Sequence, residues 1–478
     1  MERAEAEAIF EQGRDAVVVV LVALSERIAA QDAVIARLAA RVEELERRLG
    51  RNSSNSSTPP SRDPPGAPQR KRAPSEGRDA GAQPGHQGRG RRFVPVERVD
   101  EVVEQWPERC GCGRLFSEAE RDPVGGPARH QVFELPPIAV LVFEHWLQRL
   151  RCRGCGATAR AGLPAGVSAG AFGPRLEAAV ATLSVRNRVS RRDLVELIGE
   201  LCGCQLASGT VDAIVQRTGE ALAVPYDALL GHVRAAAAVN VDETGWRLRG
   251  AKRTLWGAFT ARAALLRVAP DRHERELAAL LGEEFAGITC SDRWSADNHR
   301  EPEKRQACWS HLVSDFTAHA EGLAAQKAFG EAGLLISERL FVAWHQFQND
   351  GDRAKLKRQL APLKRELRPL LEQAARDSAK TRYQRSFANN LLKIWPALST
   401  FTTVAGVEPT NNAAERGLRG AVIYRKLSFG SQSEQGERTI ERLLSASQTC
   451  RLQHRSLFAY LTDLLTAKAR GDPMPLLI

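Results

Sequence analysis

From residue 15 to residue 49, apolar side chains return at every seventh position. Leu21, Ile28, Ile35, Val42 and Leu49 take the a positions, and Val17, Leu24, Gln31, Leu38 and Leu45 the d positions. A strict seven-residue repeat keeps one seam turned toward a partner helix, whereas a helix packed on a globular core drifts toward a period of about 3.6. β-Branched residues at several a positions with mostly Leu at d favour a parallel two-stranded coil. Gln31 would fix its register, and the pairs Arg27/Asp32 and Arg41/Glu46 have the g-to-e′ spacing. Gly50 ends this helix, and an Asn/Ser/Pro-rich stretch follows that cannot form a core. Residues 62–92 carry eight Lys/Arg against three Asp/Glu amid Pro and Gly, a flexible basic linker that is either a solvated tether or a segment that lies along DNA phosphates.

Further on, the period changes twice. Between residues 172 and 224, Leu176, Ala179, Val180 and Leu183 form one helical stripe, and Leu194, Leu197, Ile198 and Leu201 a second. Past a Gly-containing turn, Ser208 is expected to cap a third helix carrying Val211, Ile214, Val215 and Leu222. This is the pattern of a helix-turn-helix or of a small structural bundle; in the first case Arg191, Arg192 and Arg217 are candidate DNA contacts. From residue 235 strands dominate. One is predicted over 239–243, closed by a Thr244-Gly245 turn. A second spans 253–261, joined through Gly250-Ala251-Lys252, and a third 264–268. A helix over 272–285 and a strand over 287–292 follow. Three antiparallel strands, a helix and a further strand make the opening of an RNase H-like fold, in which strands one and four lie side by side. A mostly helical insertion is expected over 317–404.

The chain has 478 residues, too many for one core, and divides into about three or four units. A formal net charge of +11 favours a polyanionic partner, nucleic acid or an anionic membrane surface. The longest apolar run, residues 16–24, is about half the length a membrane span needs. The mixed charge of Met1-Glu2-Arg3 is no secretory signal, so we expect a cytoplasmic protein whose nine cysteines are thiols or metal ligands. Cys110 and Cys112, then Cys152 and Cys155, are two closely spaced pairs, each followed by Gly, with strands predicted between them over 132–135 and 138–146. They suggest a zinc ribbon with structural Zn²⁺, with His130 or His145 as alternative ligands.

The chemistry rests on carboxylates. Asp242 and Asp292 each end a predicted strand, the setting of an ordinary turn residue. Together, with that intervening pattern, they suit a metal site of hard oxygen donors for phosphoryl transfer. Glu415, in Asn411-Asn412-Ala413-Ala414-Glu415-Arg416, is a candidate third ligand. Its spacing from Asn412 also fits a capping box at a helix start.

These segments resemble the insertion-sequence-66 family of DDE transposases along nearly the full length. The heptads with the Asn/Ser-rich tail look like that family's zipper, and Gln83-Pro84-Gly85-His86 resembles its QPGH segment. The Cys pairs are similar to its zinc-binding region, with CxC where CxxC is usual. Val241-Asp242-Glu243-Thr244 resembles the first acid motif. Ser291-Asp292-Arg293-Trp294-Ser295-Ala296-Asp297-Asn298 resembles the second, with Arg-Trp in place of Gly-Tyr. Cys308-Trp309-Ser310-His311 is similar to the CWxH segment. Asn411 to Arg416 with Arg425-Lys426 and Phe429-Gly430 matches the third.

The resemblance implies a bacterial transposase that binds its element's ends and carries out DNA cleavage and strand transfer. Two Mg²⁺ (or Mn²⁺) ions would be held by Asp242, Asp292 and Glu415. One would activate water and then a DNA 3′-hydroxyl, while the other stabilises the leaving oxygen. His311 would support the site or contact DNA, and Arg416, Arg419, Arg425 and Lys426 would grip phosphates. The alternative is a catalytically silent DNA-binding regulator or domesticated remnant. The expected architecture is multidomain α+β. It runs as a coiled coil (1–50), basic linker (51–105), zinc-ribbon-like domain (106–170) and helix-turn-helix-like domain (171–232). The RNase H-like core follows in two parts (233–316 and 405–435) around the helical insertion (317–404), with a C-terminal helical segment (436–478). Expected partners are double-stranded DNA, a second copy through the coil and candidate accessory proteins, at the bacterial nucleoid rather than a membrane.

Overall fold

The computed structural model describes residues 3–49, 91–168, 170–293, 300–377 and 382–478. Gly50, most of the basic linker, the Gln83–His86 segment and residues 294–298 of the second acid motif lie outside them, as does the side chain of Glu46. Two helices, α1 (Arg3–Glu11) and α2 (Arg14–Leu49), begin the chain. The heptad seam of α2 is open to solvent in the single chain, with Leu21, Ile28, Ile35 and Leu38 all exposed.

Residues 91–168 carry little regular structure: β1 (Arg149–Arg151) pairs with β2 (Thr158–Arg160). No strand forms over 132–135 or 138–146, contrary to the apolar pattern there. Pro136 and Pro137 lack amide donors, and Val132, Leu141, Val142, Phe143 and Trp146 face solvent with no neighbouring strand to pair with. Four helices follow: α3 (Pro174–Val185), α4 (Arg191–Cys202), α5 (Ser208–Ala221) and α6 (Ala223–Arg234). Ser190 caps α4 through Asp193 N, and Gly203, left-handed at φ 65°, ends it. Ser208 lies inside α5, whose cap position is Ala207, so the predicted cap is absent.

The centre of the molecule is a mixed sheet. Its strands are β3 (Ala238–Leu248), β4 (Ala251–Phe259) and β5 (Ala264–Ala269), then, after α7 (Glu274–Leu281), β6 (Ile288–Ser291) and β7 (Arg305–Ala307). Their order is β5-β4-β3-β6-β7; β3, β4 and β5 run antiparallel, while β6 and β7 run parallel to β3. Two expectations change here. Thr244-Gly245 is no turn: β3 continues through it, with Gly245 opposite Thr254. The hairpin instead turns on Arg249 and Gly250, both left-handed (φ 47° and 83°), as a two-residue loop between twisted strands requires. Backbone and side chain of Arg249 are tied to Ser431 O and Gln432 O, which hold a non-glycine residue in that conformation.

Helices cover both faces. On the β6–β7 side come α8 (Trp309–Ala320), α9 (Ala324–Asp350), α10 (Arg353–Arg376) and α11 (Arg382–Lys393), whose leucine and aromatic faces build one core with Ile288, Cys290 and Ala307. The first helix on this side begins at Trp309, ahead of residue 317. The other large core joins β3–β5 to α12 (Asn412–Ser428), α13 (Glu434–Leu452) and α14 (Leu457–Arg470). Among the described residues no helix is long and apolar enough to cross a membrane.

Helix α13 also serves the free edge of β5. The amides of Ala264, Leu266 and Val268 donate to Thr449 Oγ1, Ser445 Oγ and Glu441 Oε1 at 3.0, 2.8 and 2.6 Å. Four residues of helix rise about 6 Å and two residues of strand about 6.6 Å, so acceptors at every fourth helical position meet every second strand amide. The edge is closed without another strand. Burial pushes the Glu441 carboxyl up to about 7, from an ordinary 4.5, against the opposing pull of the Val268 amide and Arg267. An acid whose pKa is raised by folding contributes most stability below its unfolded value and loses it as pH climbs through its folded one. Glu441→Gln keeps an acceptor oxygen and removes the charge. It is expected to match wild type in urea melts at pH 4 and to exceed it by up to about 3 kcal/mol at pH 8.5. Equal stability at pH 8.5 would show that Glu441 is not the titrating group.

Candidate functional site

The parallel pairing of β3 with β6 sets Asn240 opposite Cys290, an offset of 50 (290 − 240). Carried two residues further, the same offset aligns Asp242 with Asp292 (292 − 242 = 50). Asp242 therefore stands in the middle of β3, not at its end, at the point where β6 stops and its chain turns away. Asp242 Oδ1 accepts from the Glu243 amide at 2.9 Å, and Glu243 itself pairs with Arg272.

Glu415 arrives on the first turn of α12. The capping box with Asn412 does not form: Asn411 occupies the cap position without a side-chain cap, which leaves the Glu415 carboxylate outside the helix's own bonding. Instead Asn411 Nδ2 donates to Val241 O at 2.8 Å, one residue before Asp242. Further along, Arg425 bonds Thr244 Oγ1 (3.0 Å) and Gly245 O, Trp246 stacks on Tyr424, and Trp246 Nε1 reaches Ser431 Oγ at 3.2 Å. Helix α12 is thus fastened along β3 from its first turn to its last.

The Cys308–His311 segment fastens it to β6 and β7. Cys308 N donates to Ser291 O (2.9 Å), and its Sγ accepts from Asn411 N (3.1 Å). Trp309 N donates to Pro409 O (2.9 Å), and Ser310 Oγ to Asn412 Oδ1 (3.2 Å). The strand leading to Asp292 and the helix bearing Glu415 are joined through this one turn. Cys308 and Asn411 were not singled out individually by sequence reasoning; only their place in short motifs hinted at them.

Burial, then the charges of Glu243, Asp292 and Glu415, hold the Asp242 carboxyl up near 7. Beside these acids lies His311, with Nε2 3.8 Å from Glu415 Oε1. Burial alone would lower its pKa, but the neighbouring Cys308, Asp292 and Glu415 outweigh it and push it up to about 9. Arg293, next to Asp292, pairs with Asp315 and lies over the Phe387 ring at 4.8 Å.

The other predicted residues are dispersed. Arg191 pairs with Asp212 (3.3 Å) and bonds Ser184, and Arg217 pairs with Glu177 (2.5 Å), whereas Arg192 is exposed. Arg416, Arg419 and Lys426 are exposed on α12, while Arg425 is spent on β3.

The two cysteine pairs sit on matching turns. Cys110 exchanges bonds with Arg114 O and Gly113 N, and Cys152 with Ala157 O and Gly156 N; Gly113 and Gly156 are left-handed (φ 92° and 74°). Cys112 and Cys152 are drawn below the usual thiol range, Cys112 first by the Arg114 backbone and Cys152 first by the Cys155 backbone, each then also by its partner thiol. Among the described residues the four sulfurs do not gather into one tight set. His130 and His145 likewise lie outside any such set.

Residues 2–92 match a family of unknown function. Along much of its length the chain is similar to the uncharacterized protein y4hP of Sinorhizobium fredii (strain NBRC 101917 / NGR234). The two are 25% identical over 415 residues, 77% of this chain and 72% of that protein. Residues 169–439, more than half of the chain and the whole span from α3 past the third acid, match the transposase IS66 family. The chain belongs to the IS66 family of transposases.

Proposed function

We propose that this transposase cuts and joins DNA strands at the ends of its own element, with Asp242, Asp292 and Glu415 as the catalytic acids. The observation that supports the reading is the electrostatic proximity of the carboxylates on β3, just past β6 and on α12, although among the described residues their oxygens do not gather into one tight set. Asp242 feels the charge of both others. The strand order β5-β4-β3-β6-β7, antiparallel on one side of β3 and parallel on the other, supports an RNase H-like core.

The donor set fits divalent metal. All three side chains offer hard oxygens, and their mutual repulsion around a part-buried Asp242 is what Mg²⁺ or Mn²⁺ would relieve. Such ions, when bound, polarise phosphoryl oxygens and lower the pKa of the attacking hydroxyl. The chain's own task is to fix the carboxylates, which the Asn411 and Cys308 bonds do, and to hold DNA phosphates. Arg416, Arg419 and Lys426, exposed on the acid-bearing helix, suit the second task. The test is purified protein with element-end DNA in Mg²⁺. Nicks at the ends and joined target products are expected. Cutting of branched DNA of any sequence would indicate a nuclease, and tight end binding without cleavage in any divalent metal a silent regulator.

Three modules deliver this centre on our reading. The solvent-facing seam of α2 suits a second copy of the chain, so light scattering should return at least twice the mass of one chain; a monomer mass would refute the coil. The paired glycine-closed turns around Cys110/Cys112 and Cys152/Cys155 suit Zn²⁺. Chelator is expected to abolish protease resistance across 106–170 and leave 238–470 unchanged; resistance unaffected by chelator would exclude structural zinc. Helices α4 and α5, with exposed Arg192, suit a helix-turn-helix reader of the element ends, and Arg192→Ala should weaken end binding.

A further inference from the structure

We infer that Cys308, His311 and Glu415 form a binding site for a soft divalent cation, Zn²⁺ above all, distinct from the carboxylate set but sharing Glu415 with it. One ligand atom from each residue lies within 4.8 Å of the other two. Thiolate, imidazole and carboxylate are a zinc ligand set, and a site with three protein ligands leaves a fourth position for water. Cys308 occupies the N-cap position of α8 without a side-chain cap bond, and His311 lies three residues on, so both stand at the first turn of that helix. Glu415 reaches them from α12, its side chain 47% exposed and free to close the remaining gap by a rotamer change. Two details suit a ligand. The Asn411 amide points at Cys308 Sγ at 3.1 Å, a bond that stabilises a thiolate, and His311 Nδ1 is buried with no hydrogen-bond partner. Asp292, whose charge His311 feels, stands on the same side.

Softness separates the two metals. Mg²⁺ does not take a thiolate, whereas Zn²⁺ binds thiolate and imidazole readily. Zinc seated on Cys308 and His311 would draw Glu415 away from Asp242 and Asp292. Zinc therefore inhibits Mg²⁺-dependent strand cleavage, a consequence that rests on the proposed catalytic role of Glu415; binding itself does not.

Both are measured on the full-length, metal-stripped chain. Chelator-competition titration with Zn²⁺ should give one equivalent more for wild type than for Cys308→Ser, His311→Gln or Glu415→Gln. Glu415→Gln is the safeguard if the buried Cys308 variant fails to fold, because that side chain is half exposed. In end-cleavage assays at fixed Mg²⁺, half-inhibition of Cys308→Ser, relative to its own zinc-free rate, should need at least about tenfold more Zn²⁺ than wild type. Equal zinc stoichiometry in wild type and Glu415→Gln would overturn the site and leave the three-acid reading intact. An equivalent lost in the variants, with wild-type cleavage indifferent to zinc, would uphold the site and overturn the role of Glu415.

Discussion

Asp242→Asn is expected to bind element-end DNA as wild type does and to lose at least about 10³-fold in strand cleavage, about 4 kcal/mol of transition-state stabilisation. The substitution is isosteric, and asparagine still presents an oxygen to the Glu243 amide, so the fold has no reason to suffer. Stability should move the other way. The Asp242 carboxyl sits near 7 because burial and three neighbouring acids oppose its charge. A raised acid loses its contribution to stability as pH climbs through its folded pKa, and the asparagine variant escapes that loss. In metal-free buffer at pH 8 its melting temperature should therefore exceed that of wild type. Loss of activity with a gain in stability separates a chemical role from a structural one. Glu243→Gln is the control. It removes the adjacent acid, which pairs with Arg272, and should keep cleavage within about tenfold. An Asp242→Asn protein that cuts at the wild-type rate would remove the three-acid reading.

What the sequence made legible was local. The side-by-side placement of strands one and four was expected from the order of elements, and β3 and β6 are neighbours in the sheet; the register that aligns the two acids is read only from the fold. The helix over the heptad stretch, the glycine turn after α4 and the paired Cys-Gly turns were legible because each is a short-range rule satisfied by nearby residues. Long-range matters were not. The Thr244-Gly245 pair reads as a turn until a partner strand is known. In the fold, β4 pairs through it, and a side chain at 245 would meet Arg425. The capping-box reading of Glu415 failed because Asn411 is bonded to β3 across 170 residues, which a local rule cannot see (411 − 241). The apolar run around Ile138 read as strand because alternation marks where a partner would pack, and the described chain supplies none. Cys308 had no signal as a clasp; it became one only when β6, α8 and α12 were set side by side.

The same long-range packing makes Gly417→Ala the sharpest structural test. Gly417 lies two residues beyond Glu415, on the buried face of α12. A methyl group there would come within 2.3 Å of Phe259 Cε1, far inside contact distance. The ring has no retreat, since Gly257 on its own strand leaves it similarly tight room, 2.5 Å from a hypothetical Cβ. The close approach of helix to sheet is thus set by two glycines with one phenylalanine between them. Adding a methyl group must lift the start of α12 off β4 and carry Glu415 with it. Overpacking of this kind costs about 1–3 kcal/mol of stability, while a displacement near 1 Å at a catalytic group costs about 10²-fold in rate. Cleavage should accordingly fall further than stability alone explains, with the protein still folded at 25 °C. Gly420→Ala, one turn on, meets only Arg188 Nη1 at 3.9 Å and should be neutral, or stabilising by up to about 1 kcal/mol through helix propensity. Shrinking the ring with Phe259→Leu should restore much of the rate lost by Gly417→Ala, because the two residues share one contact and their effects cannot add. If the double variant were as slow as the sum of the singles, the position of Glu415 would be set by something other than this packing.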